Sequence, residues 1–156
     1  MAITKDQLEA LMHNHEMQFF QHSDGTAFYL PYGGFGVFVH ILEDGEFLLL
    51  RSTSALGLKR LTTEQRHRLL ERLMELQNKM KLGRFAIDEN ELLFEVGVSL
   101  EDGELTGRQF RRCLATVCHH VDELRNDNSI TRGQAHHGSL ATLIARLRSR
   151  RNAAGG

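Results

Sequence analysis

The sequence has few of the residues that indicate a disulfide-bonded or membrane-spanning protein. It contains two cysteines in 156 residues, and no apolar run approaches the roughly 20 residues that cross a bilayer. Residues 1–14 lack the basic and then apolar pattern of a signal peptide. Cys113 and Cys118 lie in one predicted helix, where their side chains diverge too far to form a disulfide. We therefore expect a cytoplasmic, bacterial protein that makes no membrane contact and keeps its thiols reduced and mostly buried.

Catalytic motifs are also missing. The sequence contains no Gly-x-Ser-x-Gly, and the acidic residues at 101–104 are explained as charges at a turn and a helix entry. The segment Gly33-Gly34-Phe35-Gly36 has the composition of a phosphate-binding loop, but it precedes a strand and has no following Lys-Ser/Thr. We predict a protein that is not an enzyme, with no catalytic residue and no cofactor.

Nine histidines raise the question of a metal site. His13 and His15 are two apart on a predicted helix and point to different sides of it. No Cys-x-x-Cys or His-Glu-x-x-His motif occurs. The adjacent pairs His119-His120 and His136-His137 are interpreted as surface or half-buried side chains. The sequence therefore predicts no metal ligands.

The charge is divided unevenly along the chain. Residues 1–125 hold 14 Lys and Arg against 19 Asp and Glu, whereas residues 126–156 hold 5 Arg and 1 Asp. The apolar fraction of 41% and the charged fraction of 25% are ordinary for a soluble globular domain. We predict one domain over residues 1–125, followed over 126–156 by a polar linker and a basic C-terminal helix or tail.

Three capping boxes predict where the helices begin. In each, a threonine is followed three residues later by a glutamine, so that each side chain satisfies a free backbone amide of the other. The threonines are Thr4, Thr62 and Thr106. Apolar residues at helical spacing follow each of them, which predicts helices ending near Asn14, near Lys79 and beyond Leu124.

The stretch from Phe35 to Thr53 predicts a central hairpin around Glu43-Asp44-Gly45-Glu46. Both faces of its strands carry large apolar side chains, although an antiparallel sheet with one wet face should alternate apolar and polar residues. Something must therefore cover both faces, and the second face could be covered either by a partner chain or by the predicted C-terminal helix folding back onto it. A flanking hairpin is predicted from Met17–Gln21 and Thr26–Leu30, with the single proline, Pro31, ending its second strand.

A third hairpin is predicted from residues 84–88 and 92–100, and here the alternation is regular. Its second strand places Leu92, Phe94 and Val96 on one face, with Glu95 and Gly97 on the other. We expect a single buried face on this hairpin.

The order of helix, antiparallel strands, helix, two strands and helix resembles the YbjN-like family, described as putative bacterial sensory transduction regulators. The resemblance spans residues 5–125 and is carried by the segments FGVFVHILEDGEFLLLRS, LLERLMELQNKMKLGRFAIDENELLFEVGVSL and LTGRQFRRCLATVCHHVDEL. It implies an α+β fold like that of type III secretion chaperones, with helices packed on one face of an antiparallel sheet. It also implies a homodimer and no catalytic residue.

These patterns predict a non-enzymatic protein-binding module, chaperone-like or regulatory. It would dimerise, or hold a protein or peptide client, through an apolar sheet face. The predicted surface residues are Phe38, Leu42, Leu48 and Leu50, or their counterparts on the opposite face if the orientation of the hairpin is reversed.

The alternative is a regulator that binds nucleic acid or another anion through its C-terminal tail. That tail carries four clustered arginines: Arg146, Arg148, Arg150 and Arg151. It has no aromatic residue for stacking on bases, and the body of the chain is acidic, so we favour a surface helix or an assembly contact over nucleic acid.

Overall fold

The computed structural model describes residues 2–101 and 103–127. Three helices and seven strands follow one another along this part of the chain. They are α1 (Lys5–Asn14), β1 (Phe20–Gln21), β2 (Ala27–Tyr32), β3 (Phe35–Leu42), β4 (Phe47–Ser52), β5 (Leu56–Gly57), α2 (Thr63–Lys79), β6 (Arg84–Asp88), β7 (Glu91–Ser99) and α3 (Gly107–Arg125). The predicted tail beyond residue 127, with its four clustered arginines and the pair His136-His137, lies outside the described residues.

All three predicted capping boxes form. Thr4, Thr62 and Thr106 each adopt an extended backbone and accept a hydrogen bond from the amide of the glutamine three residues later. The glutamine side chain in turn accepts a hydrogen bond from the threonine amide, at 2.9 Å in each case. The helix starts follow from this local chemistry, because each box satisfies amides that the first turn leaves without a partner.

The strands form one antiparallel sheet. Its hydrogen-bonded path runs β1-β2-β3-β4-β7, and the short β5 continues along β7 beyond the end of β4. Strand β6 pairs with the opposite side of β7, since Glu95 is the register partner of Arg51 in β4 and also of Arg84 in β6. The sheet therefore has the short β1 at one edge and β6 at the other.

The core lies between one face of this sheet, the inner face, and the helices. Val39 pairs with Leu50, and both side chains are fully buried on the inner face. On α3, the side chains of Phe110, Val117 and Val121 are fully buried, and the helix packs on β4 and β7. The fully buried Leu8 and Met12 of α1 join the same core.

Polar contacts fix the remaining helix ends. The side chain of Gln77 in α2 donates to the carbonyl of Gly83 at 3.2 Å and accepts from the amide of Phe85 at 3.1 Å, which ties α2 to β6. Arg125 at the end of α3 donates to the carbonyls of Gly34 at 2.8 Å and Ser54 at 3.1 Å. The predicted α+β fold, with an antiparallel sheet and helices on one face, is confirmed.

Two sequence predictions about the strands need correction. Pro31 does not end β2, because the strand continues to Tyr32 and Pro31 pairs with Gly36. Strand β1 covers only Phe28 and Tyr29 of β2, so the missing amide hydrogen of Pro31 falls where β2 has no neighbour on that side. The third hairpin is also buried on both faces at one point, where Leu93 is 7% and Glu95 3% exposed.

None of the helices within the described ranges combines the length and the apolar character that a membrane span requires.

Candidate interaction surface on the outer face of the sheet

The face of the sheet opposite the inner face carries a row of large side chains. Strand alternation and register put them on one side, because Tyr29 pairs with Phe38, His40 with Leu49, and Leu42 with Phe47. Phe20 joins them as the partner of Tyr29. We call this set the outer apolar face, and it comprises Phe20, Tyr29, Phe38, His40, Leu42, Phe47 and Leu49.

Aromatic contacts organise one half of this surface around Phe38. Its ring centroid lies 5.2 Å from that of Tyr29, 6.2 Å from that of His40 and 5.8 Å from that of His22. These distances fall within the range in which aromatic pairs attract each other beyond simple burial. The rings therefore support one another across β2 and β3 and hold a defined surface.

Two glycines let rings lie close against the backbone of the sheet. A Cβ added to Gly36 would come within 2.1 Å of the Tyr29 ring, and one added to Gly97 would come within 2.5 Å of the Phe47 ring. Each glycine is thus a site of close approach where any side chain would displace a ring. The glycines let Tyr29 and Phe47 cover neighbouring strands, which widens the apolar surface.

Every side chain of the outer apolar face is at least partly exposed. Phe20 is 55% and Leu42 41% exposed. Tyr29, Phe38, His40, Phe47 and Leu49 are each partly exposed. Single exposed apolar side chains are normal on a protein surface, but a contiguous group of this kind marks an interaction site.

His40 adds a titratable group to this surface. Burial lowers the pKa of its imidazole, and the nearby positive charge of Arg51 lowers it further. A histidine whose pKa lies below its ordinary value is neutral at neutral pH. The middle of the outer apolar face therefore carries no charge under those conditions.

A buried carboxylate borders the outer apolar face on the β7 side. Glu95 is 3% exposed, and both of its oxygens are paired with guanidinium groups. Arg51 Nε lies 2.9 Å from one oxygen and Arg84 Nε lies 2.7 Å from the other. A buried charge is costly unless it is paired and hydrogen-bonded, and here two arginines meet that requirement. The surface thus changes from apolar to charged at Arg51, which lies on β4 opposite Phe38.

The structure separates the four residues predicted as a partner surface. Phe38 and Leu42 lie on the outer apolar face, whereas Leu48 and Leu50 are on the inner face with 0% exposure. Leu48 and Leu50 are core residues of this chain. The predicted contact surface is therefore wrong in part, because it combines residues from opposite faces of the sheet. The outer neighbours of Phe38 and Leu42 on β4 are instead Leu49 and Phe47. The use of this face by a partner stays a prediction.

The two thiols are free, as predicted. Burial raises the pKa of Cys113, and burial followed by the charge of Asp122 raises the pKa of Cys118 to about 11. A thiol with a raised pKa stays protonated at neutral pH and is a poor nucleophile.

The sequence matches one known protein family. The family model YbjN, described as "Putative bacterial sensory transduction regulator", matches residues 4–127. No curated protein gives a significant match to the sequence.

Three solved structures share the fold. A crystal structure described as YbjN, a putative transcription regulator from E. coli, is 15% identical with a TM-score of 0.61 and covers 87% of this chain and 96% of its own. The HopA1-SchA chaperone-effector complex contains a chain that is 18% identical with a TM-score of 0.56, covering 78% and 91%. The ExsC-ExsE complex contains one that is 16% identical with a TM-score of 0.52, covering 78% and 92%. At these identities the likeness shows a common fold.

Proposed function

This chain belongs to the YbjN family, and we propose that it is a non-enzymatic binding module that holds an extended segment of another protein on its outer apolar face. The observation that carries the proposal is the contiguous, partly exposed row of apolar side chains around Phe38 and Leu49, on the face opposite the core. Burial of such a surface by a partner would remove apolar area from water, which is the main driving force of association.

The shape and chemistry of the face support an extended occupant. Its residues come from four neighbouring strands and form a broad surface, and a charged border formed by Arg51, Arg84 and Glu95 lies beside it. An extended segment presents every second side chain to one surface. Apolar side chains at alternate positions would contact the face, while polar groups could reach the charged border. One of the solved structures with the same fold is a chaperone-effector complex, which is consistent with a protein client here.

The state of the reactive groups supports a role without chemistry. Both described thiols have raised pKa values, and the buried carboxylate of Glu95 is neutralised by two arginines. A thiol with a raised pKa is protonated at neutral pH and a weak nucleophile, and both carboxylate oxygens of Glu95 are already occupied by hydrogen bonds.

A peptide selection tests the proposal. Random linear peptides displayed on phage and selected on the purified protein should be enriched in sequences with large apolar side chains at alternate positions. The substitution Phe38→Asp should weaken binding of such a peptide at least about tenfold, because a central, well-packed aromatic is the kind of hot-spot residue whose truncation costs about 2 kcal/mol or more. Fluorescence anisotropy of a labelled peptide measures the change.

Met74→Asp supplies the matched control. Met74 is 69% exposed on α2 and is apolar like Phe38, but it lies off the outer apolar face. Its affinity per chain for the peptide should equal that of the wild type, whether the variant is a monomer or a dimer. Failure to enrich any peptide, or equal binding by wild type and Phe38→Asp, would contradict the proposal, provided that circular dichroism shows both variants folded.

We also propose that the protein is a homodimer whose contact uses a second apolar patch. Leu70 and Met74 on α2 are 48% and 69% exposed, and Ile87 on the adjacent edge strand β6 is 55% exposed. Among residues 2–101 and 103–127, β6 pairs with β7 on one side and with no strand on the other, so this edge and these side chains offer a surface for a second copy. This arrangement would leave the outer apolar face free for the client.

Sedimentation velocity distinguishes the two surfaces. The wild type should sediment as a dimer of the 17.8 kDa chain, and Met74→Asp should convert it to a monomer, because a charge buried in an apolar contact without a partner is strongly unfavourable. Phe38→Asp should remain dimeric. A wild-type monomer at high concentration would rule out the dimer, and dissociation by Phe38→Asp alone would move its contact to the outer apolar face.

A further inference from the structure

A second group of chemically capable side chains lies on α3, away from the outer apolar face. His119, His120 and Glu123 occupy adjacent turns of that helix. Nε2 of His119 and Nδ1 of His120 lie 3.8 Å and 3.4 Å from the same Glu123 carboxylate oxygen. Each residue offers one ligand atom, and the three atoms lie within 4.8 Å of one another. The prediction of no metal ligands overlooks Glu123, which stands four residues after His119.

We propose that His119, His120 and Glu123 bind a divalent transition-metal ion, with Zn²⁺ as the best match. Two imidazole nitrogens and one carboxylate oxygen are a donor set that zinc accepts, with a water molecule or another group in the fourth position. Bonds of about 2.0 to 2.2 Å to a tetrahedral ion place neighbouring ligand atoms roughly 3.3 to 3.5 Å apart. The two distances to Glu123 are near this range. The ligand nitrogens of His119 and His120 lie within 4.8 Å of each other, and rotation of the exposed His119 side chain would bring them closer.

His120 is held in place by packing. Its ring centroid lies 4.7 Å from that of Phe94 and 6.5 Å from that of Phe85, and its side chain is 16% exposed. A ligand restrained in this way loses little conformational freedom when it binds an ion. His119 is 72% exposed and Glu123 35%, which leaves an entry path from solvent.

The structure offers a comparison within the same chain. Glu9 and His13 on α1 form another pair four residues apart, with 3.8 Å between the carboxylate oxygen and Nε2. That pair has the same spacing as His119 and Glu123 but no third ligand in the described part of the chain. Convergence of a second histidine on the same carboxylate distinguishes the α3 group from an ordinary helix-surface pair.

Isothermal titration of the full, untagged chain with ZnCl₂ tests the proposal. Removing a group that merely orients a metal-binding histidine weakens metal binding about 10- to 100-fold, so Glu123→Gln should weaken binding at this site at least about tenfold. Glu9→Gln, the matched control, should leave it unchanged. Magnesium should not compete, because it prefers oxygen ligands and retains its water.

Nuclear magnetic resonance of the imidazole nitrogens identifies the ligands directly. Zinc should shift the ring signals of His119 and His120 in the wild type, and at the same subsaturating zinc concentration the shifts should be clearly smaller in Glu123→Gln. Zinc binding without a shift of these two rings would assign the ion to another part of the chain and overturn the proposal. Equal zinc binding by Glu123→Gln and Glu9→Gln would overturn it as well.

Discussion

Replacing Leu50 with alanine is expected to lower the free energy of unfolding by about 2 to 5 kcal/mol, because the change leaves a cavity in a packed core. Leu50 is fully buried on the inner face. The same substitution at the adjacent Leu49 should cost about 1 kcal/mol, because water can fill the space left beside a partly exposed side chain. Chemical denaturation followed by circular dichroism measures both values.

The comparison of these two neighbours tests the orientation of the central hairpin. Both are leucines on the same strand, so strand propensity is matched and only the face differs. A larger loss for Leu49→Ala than for Leu50→Ala would mean that β4 is turned over, with Leu49 in the core. Equal losses would mean that both faces are equally covered, and the outer apolar face would then have no room for a client.

Replacing Gly83 with alanine is expected to lower the free energy of unfolding by about 2 to 4 kcal/mol, from the sum of a backbone and a packing penalty. Gly83 has φ of +85°, which disfavours any side chain. Its added Cβ would also lie 2.6 Å from a Phe94 ring atom and 2.8 Å from the Glu95 carbonyl oxygen. The backbone oxygen cannot move aside without disturbing β7, so the strain falls on the β6–β7 pair.

Gly33→Ala is the control for that measurement. A Cβ at Gly33 would meet nothing within 4 Å, and no positive φ is required there. This variant should be close to the wild type in its denaturation midpoint. If Gly83→Ala were equally well tolerated, the turn from α2 into β6 would have to be looser than the hydrogen bonds from Gln77 imply.

The helix starts could be predicted from the sequence because they depend on contacts within four residues. Thr62 and Gln65, for example, satisfy each other's amides whatever the rest of the chain does. The resemblance to the YbjN family and the α+β fold with helices on one face were likewise predictable, and both are confirmed. The order of elements along the chain carries that information.

The composition of the outer apolar face could not be predicted, because it depends on hairpin register. In the structure Phe38 pairs with Arg51 and Leu42 with Phe47. A shift of one residue would put Leu48 and Leu50 on the same face as Phe38 and Leu42, as predicted from the sequence, and would turn every side chain of β4 over. The register follows from the connection at Glu43–Gly45, where Glu43, Asp44 and Gly45 all have positive φ. The motif Asp-Gly predicts a turn but does not give this geometry.

The metal candidate on α3 was missed for a different reason. Its signal was present in the sequence, since Glu123 lies three and four residues after the two histidines. The sequence interpretation that no carboxylate stands at a useful i+4 spacing from these histidines does not hold for His119 and Glu123. The packing of His120 against Phe94 depends on where α3 crosses β7, and that contact is visible only in three dimensions.

Gly36 and Gly97 lie under the rings of Tyr29 and Phe47 and let these rings lie close against the sheet. Each missing methyl group lets a ring settle over the neighbouring strand, so Gly36 and Gly97 set how far the aromatic groups stand out from the sheet. Clashes built into a surface exclude partners, so a surface with fewer raised side chains excludes fewer of them. Replacing either glycine with alanine would therefore push a ring outward and narrow the range of segments that could lie on the face.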